Sequence, residues 1–479
     1  MRSSLLVFLL MILFISCDKT LTTSPPDPEP PEGSFTISTQ PEGYDIYLDG
    51  RISGFKTPAE FKYMAEKQYS VSLKHAWYLD SLTEINFQGG DESFFLNIEN
   101  DPAFTGNIVC RSYPWGAFII LDDSMTGKIT PNVLHNLYPG KHTVRYELVG
   151  HRSSEKEVVV LSNDSTTFST SLQDTTIWLT FNTQNSLIPS QDLTSIAVEN
   201  TYYGDKLWVG TTDNGFFSMI NYQWFSVNSE NTSMPKKFIS KILVDKNKNK
   251  WAASVYRIYK YSDNGNFTVW DDQPYNDFTI ENYTGSYWFT LEEKGILKRN
   301  SHGDVFYTKE NSPLLDDNVL CIDNSGTYIA VGTKDGGFVV INSDEDGDSW
   351  YVFDNSYMSE IGWGPGTIRT IKVQNTGLNT KVYAAVNNVG VYIVNDIETR
   401  EGEFVQIPAV INSISVQYVL NILWIGTTDG LFKIKGTEVL EHYTVSNSPL
   451  ESNFITDVKL GEKVWIATAK GLVRFKVNE

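Results

Sequence analysis

The chain has 479 residues, and its 38 basic and 58 acidic side chains give a formal net charge of −20. A nucleic-acid-binding protein needs a basic surface that neutralises phosphates, so this balance argues against nucleic acid as a partner. Apart from Cys17, the only cysteines are Cys110 and Cys321, which lie far apart and without metal-ligand spacing. We expect these two to be free, buried thiols rather than a disulfide.

The first 33 residues are predicted to contain a secretion signal and a spacer. Arg2 is followed by an apolar run from Leu5 to Ile15. This run is shorter than the roughly 20 residues that a membrane-spanning helix needs, but it suits a signal peptide over residues 1–16. Residues 17–33 are rich in Thr, Ser and Pro, which is typical of an extended tether.

The sequence Phe14-Ile15-Ser16-Cys17 resembles a bacterial lipobox. In such a sequence the cysteine receives lipid and becomes the new N-terminus. The resemblance implies a lipid-anchored cell-envelope protein, held through Cys17 to a bacterial membrane, with the outer membrane or cell surface favoured. The alternative is an ordinary secretory signal with an incidental cysteine.

Two copies of a second pattern follow the tether, at residues 34–100 and 104–174. Pro41 to Gly50 is followed by Thr57-Pro58, and Pro114 to Asp123 is followed by Thr130-Pro131 with the same offsets. The copies resemble the PEGA domain, although Tyr44 replaces the alanine of the Pro-Glu-Gly-Ala signature. The resemblance implies small β-sandwich modules at a cell surface, without catalysis. The repeated aspartate is open to ligand binding, but an Asp next to a Gly is more typical of a hairpin turn.

From residue 175 to residue 479, one unit of about 40 residues recurs seven times. The clearest copies are Leu207 to Gly215, Leu423 to Gly430 and Val464 to Gly471, each a strand that ends in a glycine turn. Several short strands per unit with this period predict an all-β fold and a seven-bladed β-propeller. The third unit is the least well marked.

The two ends of this region predict how the ring closes. The last unit stops after its third strand, and an additional strand, residues 177–181, precedes the first unit. Pairing these two removes two exposed sheet edges. We therefore predict that the N-terminal strand of the ring pairs with the last blade.

The sequence Asn-Ser-Pro-Leu at Asn311 to Leu314 and at Asn447 to Leu450, together with the tryptophan-bearing strands, resembles the two-component-regulator propeller repeat. That family forms the periplasmic sensors of hybrid histidine kinases and also occurs in secreted proteins. The chain ends at Glu479 without a kinase or DNA-binding module. Any signalling role is therefore expected to be indirect.

Catalytic signatures are sparse. The six histidines are scattered, and no nucleophile elbow, zinc-binding helix or phosphate-binding loop occurs.

Asp344, Asp346 and Asp348 resemble the start of a calcium loop, so calcium is the one cofactor considered. Ser349 and Asn355 stand where such a loop needs glycine and an acidic residue, and the alternative is an acidic hairpin tip without an ion.

Two segments are predicted to bind a ligand at the face formed by the connecting loops. The long loop from Asp354 to Gly366 offers aromatic and acidic side chains, and a second segment places carboxylates beside aromatic rings. The candidate residues are Tyr357, Glu360 and Trp363 in the first segment, and Asp271, Asp272 and Tyr275 in the second. For Trp270, which precedes the second set, packing between blades is the alternative.

These features predict a lipid-anchored binding or sensing module that recognises a protein, a peptide or a glycan. The alternative is a propeller enzyme, a lyase or hydrolase acting on extracellular polysaccharide through dispersed carboxylates. An enzyme should bring several titratable side chains together at the central mouth. A purely structural ring should have no concave polar site. The oligomeric state is left open.

Overall fold

The computed structural model of the protein consists almost entirely of β-strands, which confirms the all-β prediction. It describes residues 32–98, 102–202, 204–230, 232, 234, 238–254, 257–262, 267–271, 275–344, 347–360 and 366–477. Cys17, the predicted signal peptide and nearly all of the tether lie outside the described residues. Within these ranges, no helix is long and apolar enough to cross a membrane.

Residues 32–98 form two sheets that share one core. The strands are β1 (Glu32–Gln40), β2 (Asp45–Leu48), β3 (Arg51–Lys56), β4 (Ala59–Ala65), β5 (Lys67–Lys74), β6 (Ser81–Phe87) and β7 (Asp91–Asn97). They pair in the orders β4-β1-β7 and β3-β2-β5-β6. Phe35 and Ile37 from the first sheet are buried together with Ile46 and Val71 from the second. The two sheets therefore pack face to face.

The second copy repeats this topology. A 3-10 turn at Pro102–Phe104 is followed by β8 (Gly106–Tyr113), β9 (Phe118–Leu121), β10 (Ser124–Ile129), β11 (Asn132–Leu137), β12 (Gly140–Glu147), β13 (Ser154–Val160) and β14 (Ser165–Ser171). The strand orders are β11-β8-β14 and β10-β9-β12-β13. Strands β8 to β14 of the second copy therefore occupy the positions of β1 to β7 in the first copy, in the same order.

The Thr-Pro pair that recurs in both copies has a structural role. The Thr57 hydroxyl is buried, lies 2.6 Å from the Thr39 hydroxyl and accepts the Tyr44 N–H at 3.1 Å. In the second copy, Thr130 makes the same contacts with Ser112 and the Ala117 N–H at the same distances. The hydroxyl of the repeated threonine therefore makes the same buried hydrogen bonds in both copies.

The described part of residues 178–475 contains seven four-stranded antiparallel sheets and one short helix. The strands are β15 (Trp178–Phe181), β16 (Leu193–Thr201), β17 (Gly204–Thr211), β18 (Phe216–Ile220), β19 (Gln223–Val227), β20 (Lys241–Val244), β21 (Lys250–Ser254), β22 (Arg257–Tyr261), β23 (Phe267–Asp271), β24 (Tyr275–Glu281), β25 (Ser286–Leu291), β26 (Gly295–Asn300), β27 (Gly303–Tyr307), β28 (Val319–Ser325), β29 (Tyr328–Thr333), β30 (Gly337–Asp344), β31 (Gly347–Asp354), β32 (Ile368–Asn375), β33 (Thr380–Val386), β34 (Gly390–Val394), β35 (Gly402–Gln406), β36 (Ile411–Gln417), β37 (Ile422–Thr427), β38 (Gly430–Lys435), β39 (Glu438–Tyr443), β40 (Ile455–Leu460), β41 (Val464–Thr468) and β42 (Gly471–Phe475), and α1 is Asn355–Glu360. From β16 to β39, each sheet uses four consecutive strands in chain order.

The seventh sheet is completed by the strand that precedes the first. Its order is β15-β42-β41-β40, and β15 runs antiparallel to β42 with Leu179 opposite Arg474. A Cβ on Gly471 would lie 2.3 Å from the carbonyl oxygen of Phe181 in β15. The equivalent Gly430 has the same close approach, 2.2 Å, to the carbonyl of Tyr443 in the fourth strand of its own sheet. β15 therefore takes the place of a fourth strand, as the sequence predicts.

Neighbouring first strands are joined by one recurring hydrogen bond. At equivalent register positions, a side chain of one first strand accepts the backbone N–H of the first strand in the following sheet. The pairs are Ser195 with Ile242 at 3.1 Å, Asp277 with Ile322 at 3.0 Å, Ser413 with Val458 at 3.1 Å and Asp457 with Ile196 at 2.8 Å. The last of these joins the seventh sheet to the first. Each sheet is open, and none closes on itself among the described strands.

The tryptophans of the repeat lie in the core. Trp208, Trp251, Trp288, Trp424 and Trp465 are at most 4% exposed. Cys110 and Cys321 are buried thiols that are not joined in a disulfide, as expected. By its contacts the chain divides into two compact units. Among the described residues, the first unit contains 32–98, 102–109, 133–142 and 157–168, and the second contains 110–132, 143–156 and the remainder from 169.

Candidate functional site

One cavity of about 540 Å³ is lined by the first strand of every one of the seven sheets. Residues from β16, β20, β24, β28, β32, β36 and β40 contribute to its wall. A volume of this size is within the usual range for small-ligand sites. Its wall combines backbone with charged and hydroxyl side chains, so the cavity is polar.

Three lysine–aspartate pairs lie in this wall. Their Nζ to carboxylate distances are 2.5 Å for Lys241 and Asp277, 2.8 Å for Lys372 and Asp323, and 2.7 Å for Lys459 and Asp457. The second oxygen of each aspartate accepts a backbone N–H, from Ile322, Val373 and Ile196 respectively. Both oxygens of all three carboxylates are therefore bonded within the protein.

Lys372 keeps its positive charge because of its partner Asp323. Burial alone would lower the pKa of Lys372, but the charge and hydrogen bond of Asp323 outweigh that effect. The pKa of Lys372 is consequently raised above its ordinary value of 10.5. The ammonium group is charged at neutral pH and remains a hydrogen-bond donor.

Arg369 differs from the three lysines. It is the second residue of β32, its side chain is exposed, and it lines the same cavity. Among the described residues, it makes no hydrogen bond or ion pair. Arg369 is therefore a cation in the cavity wall without a counter-ion from the part of the chain that is described.

The predicted binding loop is partly helical. Tyr357 lies in α1, where its N–H bonds to the Asp354 carboxylate at 2.9 Å. Its hydroxyl lies 2.9 Å from that of Tyr392 and donates to the Arg400 carbonyl. This ring packs against a core shared by the sheets before and after α1, including Phe353 and Tyr392, and it does not line the central cavity. The Glu360 side chain and Trp363 lie outside the described residues.

The second predicted segment is also mainly a packing element in its described part. The ring of Trp270 stacks on Phe289 of the following sheet with centroids 5.3 Å apart, and Tyr275 packs on the same ring at 4.8 Å. Packing between sheets is therefore the role seen for Trp270. The Asp271 side chain and Asp272 lie outside the described residues, so a ligand-binding role for them stays a prediction.

The acidic hairpin is incompletely described. Asp344 ends β30, Asp348 lies in β31, and Asp346 lies outside the described residues. Asp348 pairs with Lys298 at 2.8 Å and accepts a hydrogen bond from Tyr307. No group of three or more His, Cys, Asp or Glu placed to hold a metal occurs in the described part of the chain. Calcium binding at the three aspartates stays a prediction.

Sequence reasoning missed the residues of the central cavity. The missed signal is the recurrence of charged residues in the first strands. Lys241, Asp277, Lys372 and Asp457 all lie in first strands that line the cavity. Such residues are costly in a strand interior unless they pair with one another, so their recurrence across several repeats indicates a shared polar centre.

A smaller cavity of about 250 Å³ surrounds Arg474 in the second compact unit. Arg474 is 2% exposed, and its guanidinium donates to Asp174 at 2.9 Å and to the Tyr222 hydroxyl at 2.8 Å. Burial opposes the ionisation of Asp174, but hydrogen bonds from Arg474 and the Thr176 N–H outweigh it and lower the pKa of Asp174 below 3.8. These bonds fasten β42 to the segment that precedes β15.

Comparison with known protein families identifies the N-terminal modules. Residues 32–101 and 105–176 match the family model of the PEGA domain. This match confirms the resemblance that the repeated proline and threonine positions indicated. No curated protein matches the chain.

Several solved structures are similar to the chain at low identity. The extracellular domain of the hybrid two-component system BT3049 from B. thetaiotaomicron is 16% identical, with a TM-score of 0.48 over 62% of this chain and 41% of that one. The extracellular domain of BT4673 from the same organism is 13% identical, with a TM-score of 0.49 over 63% and 40%. PorZ, a surface component of the type-IX secretion system of Porphyromonas gingivalis, is 14% identical, with a TM-score of 0.47 over 92% and 68%. The chain thus spans less than half the length of the first two.

Proposed function

We propose that the seven sheets are the blades of a closed β-propeller, and that this propeller is the ligand-binding part of a lipid-anchored protein of the bacterial cell envelope. Two observations support the ring. β15 supplies the fourth strand of the last sheet, and Asp457 of that sheet bonds to Ile196 of the first at 2.8 Å. The shared cavity, with all seven first strands in its wall, is the centre that such a ring requires.

The cavity brings several titratable side chains together, as the enzyme alternative requires, but binding is proposed rather than catalysis because its carboxylates are already bonded within the protein. General acid–base catalysis needs a carboxyl group or an imidazole that can exchange a proton with the substrate. Asp277, Asp323 and Asp457 each bond to a lysine and to backbone N–H groups, and no histidine is among the described residues of the wall. These bonds support a structural role for the carboxylates, while Arg369 remains available for a ligand.

The proposed localisation at the cell envelope rests on the sequence. The lipobox-like Ser16-Cys17, the Pro-rich tether and the two PEGA modules together favour attachment to a membrane with the propeller displayed away from it. Protein, peptide and glycan ligands all carry the carbonyl, carboxylate or hydroxyl acceptors that a donor-rich cavity binds. The proposed role is recognition or sensing of such a ligand at the cell surface.

The experiment that tests this function combines a glycan array with capture from solubilised cell envelope, using the chain from Asp18 onward. We expect a ligand to be retained and to be recovered chemically unchanged. Retention of nothing by either method would contradict the binding function. Turnover of a polysaccharide on the array would favour the enzyme alternative instead.

A further inference from the structure

The central cavity carries a charge of opposite sign to the molecule as a whole. The chain has a formal net charge of −20. The charged residues of the cavity wall are the cations Lys241, Arg369, Lys372 and Lys459 and the anions Asp277, Asp323 and Asp457. Since each lysine is matched by one aspartate, one positive charge, that of Arg369, is left over in the described wall.

The hydrogen-bond groups of the wall are unbalanced in the same direction. Each aspartate uses both of its oxygens within the protein, as described above. An ammonium group has three N–H donors, and those of Lys372 and Lys459 each bond to a single aspartate. Arg369 adds five donors, none of which bonds to a described residue. The cavity therefore has unused hydrogen-bond donors, and a ligand that binds there should supply hydrogen-bond acceptors.

We propose that this cavity binds a small ligand through a carboxylate group, and that Arg369 makes the main contact with it. The inference rests on the proposed binding function. A planar guanidinium donates two parallel hydrogen bonds to a carboxylate, a geometry that a neutral hydroxyl or amide cannot match. The acidic surface of the molecule repels large polyanions, so a compact ligand with a single carboxylate fits the cavity best.

Two sources could supply this group, a uronic acid sugar or the C-terminus of a peptide. The test uses isothermal titration calorimetry with the full mature chain and two matched probe pairs. Glucuronate is compared with glucose, and N-acetyl-dialanine is compared with its C-terminal amide. We expect at least one acid to bind about tenfold or more tightly than its neutral partner, as loss of a charged hydrogen bond would give. The acid that binds identifies the source.

The variants assign this preference to Arg369. Arg369→Gln should abolish it, and Arg369→Lys should keep part of it because the charge remains while the paired donors are lost. Arg51→Gln, which changes an exposed arginine in β3, should leave it intact. Since Arg369 is exposed, the thermal unfolding of Arg369→Gln should match that of the unchanged protein, which separates a binding defect from a folding defect.

Three results would overturn the inference. They are equal binding of acid and neutral probes, a preference that survives Arg369→Gln, and an absence of binding by all four probes. If one of these occurs while the glycan array or envelope capture still retains a ligand, the carboxylate site is wrong and the binding function stands. If neither method nor any probe shows binding, both are wrong.

Discussion

Asp457 joins three of the seven sheets through one carboxylate. It bonds to the Ser413 hydroxyl of the preceding sheet at 2.6 Å, to Lys459 of its own sheet at 2.7 Å, and to the Ile196 N–H of the first sheet at 2.8 Å. The residue is 7% exposed. Loss of such a group leaves several buried donors without an acceptor. This one carboxylate therefore links the seventh sheet both to the sixth and to the first.

Replacement of Asp457 by alanine should therefore be strongly destabilising. We expect the free energy of unfolding to fall by about 1–3 kcal/mol for each buried donor that loses its acceptor, and these donors are the Ile196 N–H and the Ser413 hydroxyl. Asp213→Ala is the matched control because Asp213 is exposed in a turn, and it should change stability by less than about 0.5 kcal/mol. Urea unfolding measures both. Equal effects of the two substitutions would contradict the role given to Asp457.

The bond between Arg474 and Asp174 should make stability depend on pH. Because the pKa of Asp174 is below its ordinary 3.8 in the folded protein, the ionised carboxylate stabilises the fold above that pH. The contribution is lost as the pH falls through the lower, folded-state pKa. Asp174→Asn should thus reduce stability at neutral pH, and the difference from the unchanged protein should shrink as the pH falls below the ordinary value of 3.8.

Denaturant titration of both proteins across this pH range measures the difference. The control is Thr166→Ala, which changes a half-buried residue of β14 and should show no such pH dependence. A difference that stays constant or grows on acidification would contradict the assignment.

At the scale of elements, β15 completes the seventh sheet although the strands of the other six sheets lie between it and β40 in the sequence. Leu179 of β15 is 7% exposed and packs in a core with Leu207 and Trp465, which belong to the first and last sheets. The strand is thus held by side-chain packing as well as by pairing with β42. Both interactions require the two ends of the region to meet.

Truncation of this side chain should loosen the closing sheet. Leu179→Ala should lower the free energy of unfolding by about 2–5 kcal/mol, the usual cost of a leucine-to-alanine change in a core. Leu187→Ala is the control because Leu187 is 65% exposed. Hydrogen exchange should show faster exchange in β42 for the first variant only. Unchanged exchange in β42 would indicate that β15 contributes little to that sheet.

The pairing of β15 could be predicted because the repeat itself exposes a missing strand in its last copy. The short helix α1 could not, since its six residues lack a helical hydrophobic pattern long enough to identify. The contacts of Tyr357 could not be predicted for a related reason. Its partners are Tyr392 in β34 and Arg400 in the turn after that strand, and a single sequence does not show which distant residues a loop side chain will meet. A ligand-binding role for Tyr357 stays a prediction.

The cavity residues illustrate the same limit. The sequence predicts their strands from the alternation of apolar and polar residues. This alternation assigns a side chain to one face of a sheet, but it does not show which charged side chains will pair. Lys372 and Asp323, for example, are far apart in sequence and meet only because consecutive first strands lie side by side. The sequence therefore predicted the repeating framework better than the polar centre that the framework creates.

At the scale of the whole molecule, the proposed anchor makes a prediction that is independent of the ligand. Cys17→Ser removes the sulfur to which lipid would be attached. We expect the protein to shift from the membrane fraction to the soluble envelope fraction on cell fractionation, because acyl chains supply membrane affinity. Cys110→Ser, which changes a buried thiol, is the control and should leave the partition unchanged. Membrane partition that survives Cys17→Ser would contradict lipid anchoring.

The proposed propeller places the seven first strands around one ligand-binding cavity. Hydrogen exchange measured by mass spectrometry, with and without a ligand retained in the array or capture experiment, reports on each of these strands. Ligand binding in the cavity should slow exchange in β16, β20, β24, β28, β32, β36 and β40, with the largest change near Arg369. Protection confined to the PEGA modules or to the outer strands, with the first strands unchanged, would contradict it.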